Sequence, residues 1–136
     1  MTKIEGGCLC GAVRYRSSSE PLMTAVCHCK NCQKQTGTSF SLLVAVPRND
    51  FTVNGQTKIF QDTGDSGKPV SRHFCPECGS PIYSDVTALE DRLFVKAGTL
   101  DDASALIPAA HIFCDSAQPW FSLGSDVPQF PRSPRG

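Results

Sequence analysis

The chain has 136 residues, of which 40% are hydrophobic, and its 13 basic residues balance 13 acidic ones. A chain of this length can form one domain that buries roughly two-thirds of its unfolded surface. The zero net charge excludes the basic excess with which nucleic-acid-binding proteins contact phosphates, and no apolar run approaches the roughly 20 residues of a membrane span. We therefore expect a protein that binds neither nucleic acid nor membranes.

The amino-terminal segment MTKIEGGCLCG lacks the apolar stretch of a secretory signal, which predicts a cytoplasmic location. The compartment matters because the chain contains eight cysteines. In a reducing compartment, a cysteine-rich chain binds metal ions more often than it forms disulfides.

Short strand patterns separated by turn residues dominate the chain. In order they are AVRYR (12–16), SFSLLVAV (39–46), the two flanks of DFTVNGQTKIF (50–60), SRHF (71–74), SPIYSDV (80–86), RLFVKAG (92–98) and AAHIFCD (109–115). Asn54-Gly55 predicts a hairpin because both residues tolerate positive φ. Short helical turns are expected at Lys30–Thr36 and Asp101–Leu106, and a polar loop at 61–69 either covers a site or connects strands. These patterns predict a mainly β, single-domain protein of about eight strands over residues 1–136.

Four cysteines form two complementary pairs. Cys75 and Cys78 have the two-residue spacing that lets two thiolates meet one metal ion, and Cys8 and Cys10 supply a second pair. Together they predict a closed, structural zinc site, although ligand type alone leaves an iron–sulfur cluster open. A redox role for CPEC is disfavoured because a turn and a strand follow it, where a helix would be needed to lower a thiol pKa.

The hexapeptide CHCKNC contributes three further cysteines. Cys27 and Cys29 share one face of an extended segment, and a turn after Cys29 brings Cys32 to the same point. His28 then points away and bonds to the backbone, although its ligation stays an alternative. Three thiolates leave the fourth place of a zinc ion to water or substrate, which is typical of a catalytic site.

The charge of such a site indicates its chemistry. Zinc with three thiolates is a weak Lewis acid toward water, yet it favours the deprotonated form of a thiol bound beside it. We therefore expect the making or breaking of a bond between a thiol and a small electrophile. The candidate side chains to offset the negative charge are Lys30, Lys34, Arg72 and His73.

Other side chains are better explained by packing or turns. Cys114 and His111 lie in an apolar strand pattern. Cys114 is expected to be a buried small residue, and His111 a core or edge histidine with its hydrogen bonds satisfied. Trp120 and Phe121 are expected as core or dimer-contact aromatics. Backbone amides and hydroxyls of Thr36–Ser39 could meet a carboxylate of a ligand, and an ordinary turn is the alternative.

The order of GGCLCGAVRY, CHCKNCQKQTG, FCPECGSPIYS, AGTLDD and HIF…PWF resembles the glutathione-dependent formaldehyde-activating enzyme family, whose domain is shared with centromere protein V. The resemblance runs from about Gly6 to Phe121. It implies a β-tent fold, two zinc ions per chain and carbon–sulfur lyase chemistry that joins formaldehyde to glutathione as S-hydroxymethylglutathione, or the reverse. By position, Cys8, Cys10, Cys75 and Cys78 match the structural zinc ligands, and Cys27, Cys29 and Cys32 match the catalytic ones.

Two other functions stay open. One is a non-catalytic, zinc-stapled binding module for glutathione or a protein partner, and the other is a metal-storage or thiol-sensing protein. The expected partner is a small-molecule thiol such as glutathione, and a homodimer is compatible with the sequence. The domain core is expected at about 6–121, with 122–136 as a loose carboxy-terminal tail.

Overall fold

The computed structural model describes residues 4–124 and 126–133. Within them lie ten β-strands, one α-helix and three short 3₁₀ turns. The strands are β1 (Ile4–Gly7), β2 (Arg14–Ser17), β3 (Met23–Cys27), β4 (Ser41–Pro47), β5 (Phe51–Asn54), β6 (Lys58–Thr63), β7 (Pro69–Phe74), β8 (Pro81–Val86), β9 (Arg92–Lys96) and β10 (Ala110–Ile112). The helix α1 spans Lys30–Thr36, and the 3₁₀ turns are Arg48–Asp50, Ala97–Thr99 and Cys114–Ser116. The expected mainly β class is confirmed.

A three-stranded antiparallel sheet has the order β1-β2-β5. Its side chains follow the two-residue period of a half-buried sheet: Ile4 and Tyr15 are buried, whereas Arg14 and Arg16 are exposed. Strand β1 was not predicted, because its sequence IEGG contains only one residue with a strong preference for strands.

A seven-stranded sheet has the order β10-β3-β4-β9-β8-β7-β6. Its neighbours pair antiparallel, except that β10 pairs in parallel with β3. Two residues separate the end of β3 from the start of α1, and Cys75 directly follows the end of β7. The segments CHCKNC and CPEC therefore each start at the end of a strand of this sheet.

One hydrophobic cluster joins the two sheets. Ile4, Val13 and Tyr15 belong to the amino-terminal part, and Val44 and Ile82 belong to the seven-stranded sheet. Val13, Val44 and Ile82 are fully inaccessible to solvent. The shared core makes the two sheets a single small domain, as expected.

The predicted hairpin at Asn54-Gly55 is wrong. Gly55 does adopt a positive φ of 100°, but β5 pairs with β2 while β6 pairs with β7. Phe51 and Val53 of β5 pack on the core cluster, and the side chains of β6 are mostly exposed. The turn signal is local, so it predicts the bend correctly and does not determine which strands pair.

The predicted helical turn at Asp101–Leu106 is also wrong. The Asp101 amide donates to the carbonyl of Glu5 at 2.9 Å, which holds this segment against β1. Asp102 accepts hydrogen bonds from the amide and hydroxyl of Ser104 at 2.9 and 2.6 Å. These side-chain bonds stabilise a turn that competes with a helix.

The segment 128–132 runs beside β10. Phe113 and Cys114 amides donate to the carbonyls of Arg132 and Phe130, both at 3.0 Å, and the Phe130 amide donates to His111 at 2.9 Å. This part of the expected loose tail is therefore hydrogen bonded to the body of the domain. In the described part of the chain, no helix combines the length and the apolar character needed to cross a membrane.

Candidate metal centres and adjacent cavity

The structure brings Cys8, Cys10, Cys75 and Cys78 together. Cys8 and Cys10 follow β1, and Cys75 and Cys78 lie between β7 and β8. Their four Sγ atoms all lie within 4.8 Å of one another. The Sγ atom of Cys10 is 3.6 Å from that of Cys8 and 3.7 Å from that of Cys75.

These separations fit a metal site better than a disulfide. A zinc ion with sulfur ligands at about 2.3 Å places tetrahedral sulfurs about 3.8 Å apart, whereas a disulfide bond is about 2.05 Å long. All eight cysteines are free thiols. Hydrogen bonds also favour the thiolate form: the Val13 amide donates to Cys8 Sγ at 3.2 Å, and Ser80 lowers the pKa of Cys78 to about 5. This cluster could hold a zinc ion.

The structure also brings Cys27, Cys29 and Cys32 together. Cys27 ends β3, Cys29 is the N-cap of α1, and Cys32 lies in the first turn of that helix. Their Sγ atoms all lie within 4.8 Å of one another, and no further His, Cys, Asp or Glu ligand atom of the described residues joins the group. Helix formation after Cys29 thus supplies the turn that the spacing predicted.

The thiol of Cys29 caps the amino-terminal end of α1. The amide of Cys32 donates to Cys29 Sγ at 3.2 Å, so the thiol occupies the place of an ordinary N-cap oxygen. Cys27 and Cys32 are buried, with exposed fractions of 3% and 6%, whereas Cys29 is half-buried. Of the three sulfurs, Cys29 is therefore the most accessible to solvent.

Two buried cations lie beside this three-cysteine cluster. Arg72 and Lys96 are only 7% and 5% exposed. Hydrogen bonds from the Cys27 and Cys29 thiols, together with the positive charges of Lys96 and Arg72, hold the pKa of Cys32 well below its ordinary value. Arg72 Nε also donates to Asp62 at 2.9 Å, and Lys96 Nζ donates to Ser41 Oγ at 2.8 Å. The two cations therefore favour negative charge on Cys32.

The sequence identified Arg72 as a candidate cation and missed Lys96. Lys30 and Lys34 are exposed, and His73 instead stacks on Tyr83, with ring centroids 4.2 Å apart, and bonds Thr57. Lys96 ends the apolar strand β9. A lysine at the end of an apolar strand was the available signal. Whether its side chain points into the protein depends on how the sheet packs, which the sequence does not give.

A cavity of about 370 Å³ opens onto Cys29. Its walls come from the start of α1, the β6–β7 connection, Arg72 of β7, the chain after β10, and the segment 131–132. The lining residues are Cys29, Lys30, Asn31, Thr63, Gly64, Asp65, Arg72, Phe113, Asp115, Ser116, Pro131 and Arg132. The polar loop predicted at 61–69 therefore borders the cavity, which gives a small molecule a route to the three-cysteine cluster.

His28 is not part of the cysteine cluster. Its Nε2 lies 3.0 Å from Nδ1 of His111. Burial and the neighbouring His111 lower the pKa of His28. The two ring nitrogens therefore share one hydrogen bond, in which one donates and the other accepts. His28 therefore lies outside the three-cysteine group, as the preferred interpretation expected, but its ring bonds to a side chain.

The remaining candidates take no direct part in either cluster. The hydroxyl of Thr36 donates to the carbonyl of Cys32 at 2.8 Å and that of Thr38 donates to the carbonyl of Phe40 at 2.5 Å, so this segment forms an ordinary turn. Cys114 lies outside both clusters. Trp120 is 72% exposed and is not a core residue, whereas Phe121 packs on Phe40, with ring centroids 4.9 Å apart.

Comparison with known proteins gives consistent matches. The model of a family described as Glutathione-dependent formaldehyde-activating enzyme matches residues 3–116. A Halomonas elongata protein whose name carries the same description is 27% identical over 128 residues, which are 90% of this chain and 82% of that protein. An uncharacterised lyase of Schizosaccharomyces pombe is 25% identical over 97 residues, 71% of this chain and 68% of that protein.

One solved structure has a similar fold. The crystal structure of a Rhodobacter sphaeroides protein superposes with a TM-score of 0.59 and 21% sequence identity. The match covers 93% of this chain and 99% of that one. The two proteins share a fold.

Proposed function

The chain belongs to the glutathione-dependent formaldehyde-activating enzyme family, and from this premise we propose that it is a zinc-dependent carbon–sulfur lyase-type enzyme. Its substrates are thiol adducts: it joins formaldehyde to glutathione as S-hydroxymethylglutathione, or catalyses the reverse. The names of the relatives support an enzyme, since they describe a formaldehyde-activating enzyme and a lyase.

One observation carries the proposal. Three cysteine sulfurs converge beside a cavity, and the described residues offer them no fourth protein ligand. A structural zinc site is closed by four protein ligands, whereas a catalytic one keeps a position for water or substrate. The arrangement at Cys27, Cys29 and Cys32 matches the second kind.

The two cysteine clusters then have different tasks. Cys8, Cys10, Cys75 and Cys78 would hold a structural zinc ion that joins the amino-terminal sheet to the β7–β8 connection. Cys27, Cys29 and Cys32 would hold the catalytic ion. When bound there, zinc supplies a positive centre that favours the thiolate form of an incoming thiol at neutral pH.

The protein's own side chains contribute charge and access. Three thiolates and one divalent cation carry a net negative charge, which Arg72 and Lys96 offset from buried positions. The cavity at Cys29 admits the thiol from one side. In the reaction, the S–H bond and one bond of the carbonyl are exchanged for C–S and O–H bonds. The thiol proton ends on the former carbonyl oxygen, and no oxidant is required.

A comparison of two cysteine variants tests this proposal. Cys29→Ser removes a sulfur of the three-cysteine cluster, and Cys114→Ser removes the one cysteine outside both clusters. We expect the wild-type protein and Cys114→Ser to contain two zinc ions per chain and to accelerate adduct formation above the uncatalysed rate. Cys29→Ser should lose one zinc ion and that acceleration. The measurements are elemental analysis of the purified protein and formaldehyde consumption followed by NMR.

Two results would contradict the proposal. The first is a Cys29→Ser variant that retains both metal ions and full activity. The second is a wild-type protein that binds glutathione saturably without accelerating the reaction, which would indicate the non-catalytic binding module instead.

A further inference from the structure

A segment beyond the family match forms one wall of the cavity. The match to the family model ends at residue 116, yet Pro131 and Arg132 line the cavity together with Cys29. The segment is fixed by its backbone: the amides of Phe113 and Asp115 donate to the carbonyls of Arg132 and Pro131 at 3.0 and 3.1 Å. Its position beside the cavity is therefore defined by hydrogen bonds along the chain after β10.

Arg132 brings a weakly held positive charge to this wall. Its Nη1 lies 3.8 Å from Oδ1 of Asp65, and the two side chains are 65% and 54% exposed. In contrast, Arg72 in the same cavity donates to Asp62 at 2.9 Å, and its side chain is only 8% exposed. An exposed pair at such a distance contributes little stability. A ligand carboxylate can therefore replace Asp65 at low cost.

The chemistry of Arg132 indicates what it would bind. A guanidinium has five donors in a planar fork, and carboxylates are its matching acceptors. Lys30, which is exposed, adds a second positive charge to the rim. The cavity volume of about 370 Å³ lies within the range of small-molecule sites.

We infer that Arg132 is a specificity-determining residue that binds a carboxylate of the thiol substrate, with Asp65 as its partner when the cavity is free. The inference rests on the proposed function, because it assigns the sulfur of the same ligand to the three-cysteine cluster. Arg132 then selects thiols that carry a carboxylate remote from the sulfur over neutral thiols.

Binding measurements with two ligands test the inference. Calorimetry on the zinc-loaded protein gives the dissociation constants for glutathione and for glutathione diethyl ester, in which both carboxylates are neutral. We expect the wild type to prefer glutathione by about tenfold, the effect of one hydrogen bond to a charged group. Arg132→Gln should remove that preference and leave the affinity for the ester unchanged.

Arg16→Gln is the matched control, since Arg16 is an exposed arginine on β2 in the other sheet. It should keep the wild-type preference and the wild-type zinc content. Equal preference for glutathione in Arg132→Gln and wild type would overturn the inference, as would a wild type that does not discriminate between the two ligands or binds neither. Discrimination that depends on Arg132, without acceleration of adduct formation, would refute the proposed enzyme activity and leave the inference standing.

Discussion

Lys96 shows how a single buried charge can indicate the chemistry around it. It is 5% exposed, and its Nζ donates a hydrogen bond to the neutral hydroxyl of Ser41. Burial lowers the pKa of Lys96, while the negative charges of the three cysteines favour its charged form. A buried ammonium is costly unless opposite charge compensates it. The cysteine cluster supplies that charge.

We predict that Lys96→Met weakens zinc binding at the three-cysteine cluster by about tenfold, the effect typical of residues that support metal ligands. Methionine retains the length of the side chain and removes the charge. The measurement is competition with a chelator, in which one of the two zinc ions should leave at a lower chelator concentration than in the wild type.

Lys34→Met is the control for this variant, because Lys34 is an exposed lysine on the same helix as Cys32. It should release both ions as the wild type does. Identical chelator curves for Lys96→Met and the wild type would show that Lys96 does not stabilise the cluster.

Tyr15 gives a prediction about pH. Burial raises the pKa of Tyr15 to about 12, and its hydroxyl hydrogen bonds Thr99 Oγ1 at 2.6 Å. A tyrosine in the unfolded chain has a pKa of about 10. Because the folded pKa is the higher one, the stabilising contribution is complete below pH about 10 and is lost as the pH rises toward 12.

We therefore expect the stability difference between wild type and Tyr15→Phe to shrink as the pH rises above about 10, by about 1 kcal/mol per pH unit. Urea unfolding of both zinc-loaded proteins between about pH 8 and pH 11 measures this difference. A difference that stays constant over the whole range would show that the Tyr15 hydroxyl does not titrate abnormally.

At the scale of elements, β1 is placed by a close approach of backbones. A Cβ atom added to Gly6 would lie 2.2 Å from the carbonyl oxygen of Thr99 and 2.6 Å from the Tyr15 hydroxyl. Gly6 also forms an isolated bridge with Leu100. The glycine lets β1 contact the 3₁₀ turn Ala97–Thr99 that follows β9, which connects the two sheets.

We predict that Gly6→Ala destabilises the protein by about 2 kcal/mol, since the methyl group overpacks this contact. Gly98→Ala is the control, because a Cβ atom there would meet no atom within 4 Å. It should be close to neutral. Urea unfolding of the two zinc-loaded variants checks the comparison, and equal stability of both would contradict the assigned close approach.

The sequence predicted the type of most elements but did not predict which strands pair. The spacing of apolar residues located β4, β7, β8 and β9 well, and the helical turn at Lys30–Thr36 is confirmed. The hairpin at Asn54-Gly55 failed because pairing is decided by which faces the core covers. Strand β3 was not predicted, since its sequence MTAVC has no clear two-residue period.

At the scale of the whole molecule, cysteine spacing predicted more than any other signal. It separated seven cysteines into the two groups that converge in the structure. Spacing is informative because a short separation along the chain brings two thiols close enough to bind one metal ion. The buried cation Lys96 and the wall formed by the segment 131–132 could not be predicted, because both depend on contacts between distant parts of the chain.

The two clusters also occupy different positions in the molecule. The four-cysteine cluster joins the end of β1 to the β7–β8 connection, so a metal ion there would tie the two sheets together. The three-cysteine cluster lies where β3, α1 and the cavity meet. One position suits a structural ion, and the other gives access to a ligand.

X-ray absorption at the zinc edge tests the open coordination of the three-cysteine cluster most directly. Seven cysteine sulfurs shared by two zinc ions give an average of about 3.5 sulfur ligands per ion. We predict this value for the zinc-loaded protein without thiol, and a rise to about 4 when glutathione is added. An average of four sulfurs before the addition, or no change after it, would contradict the proposal that the cluster keeps a place for the sulfur of a substrate.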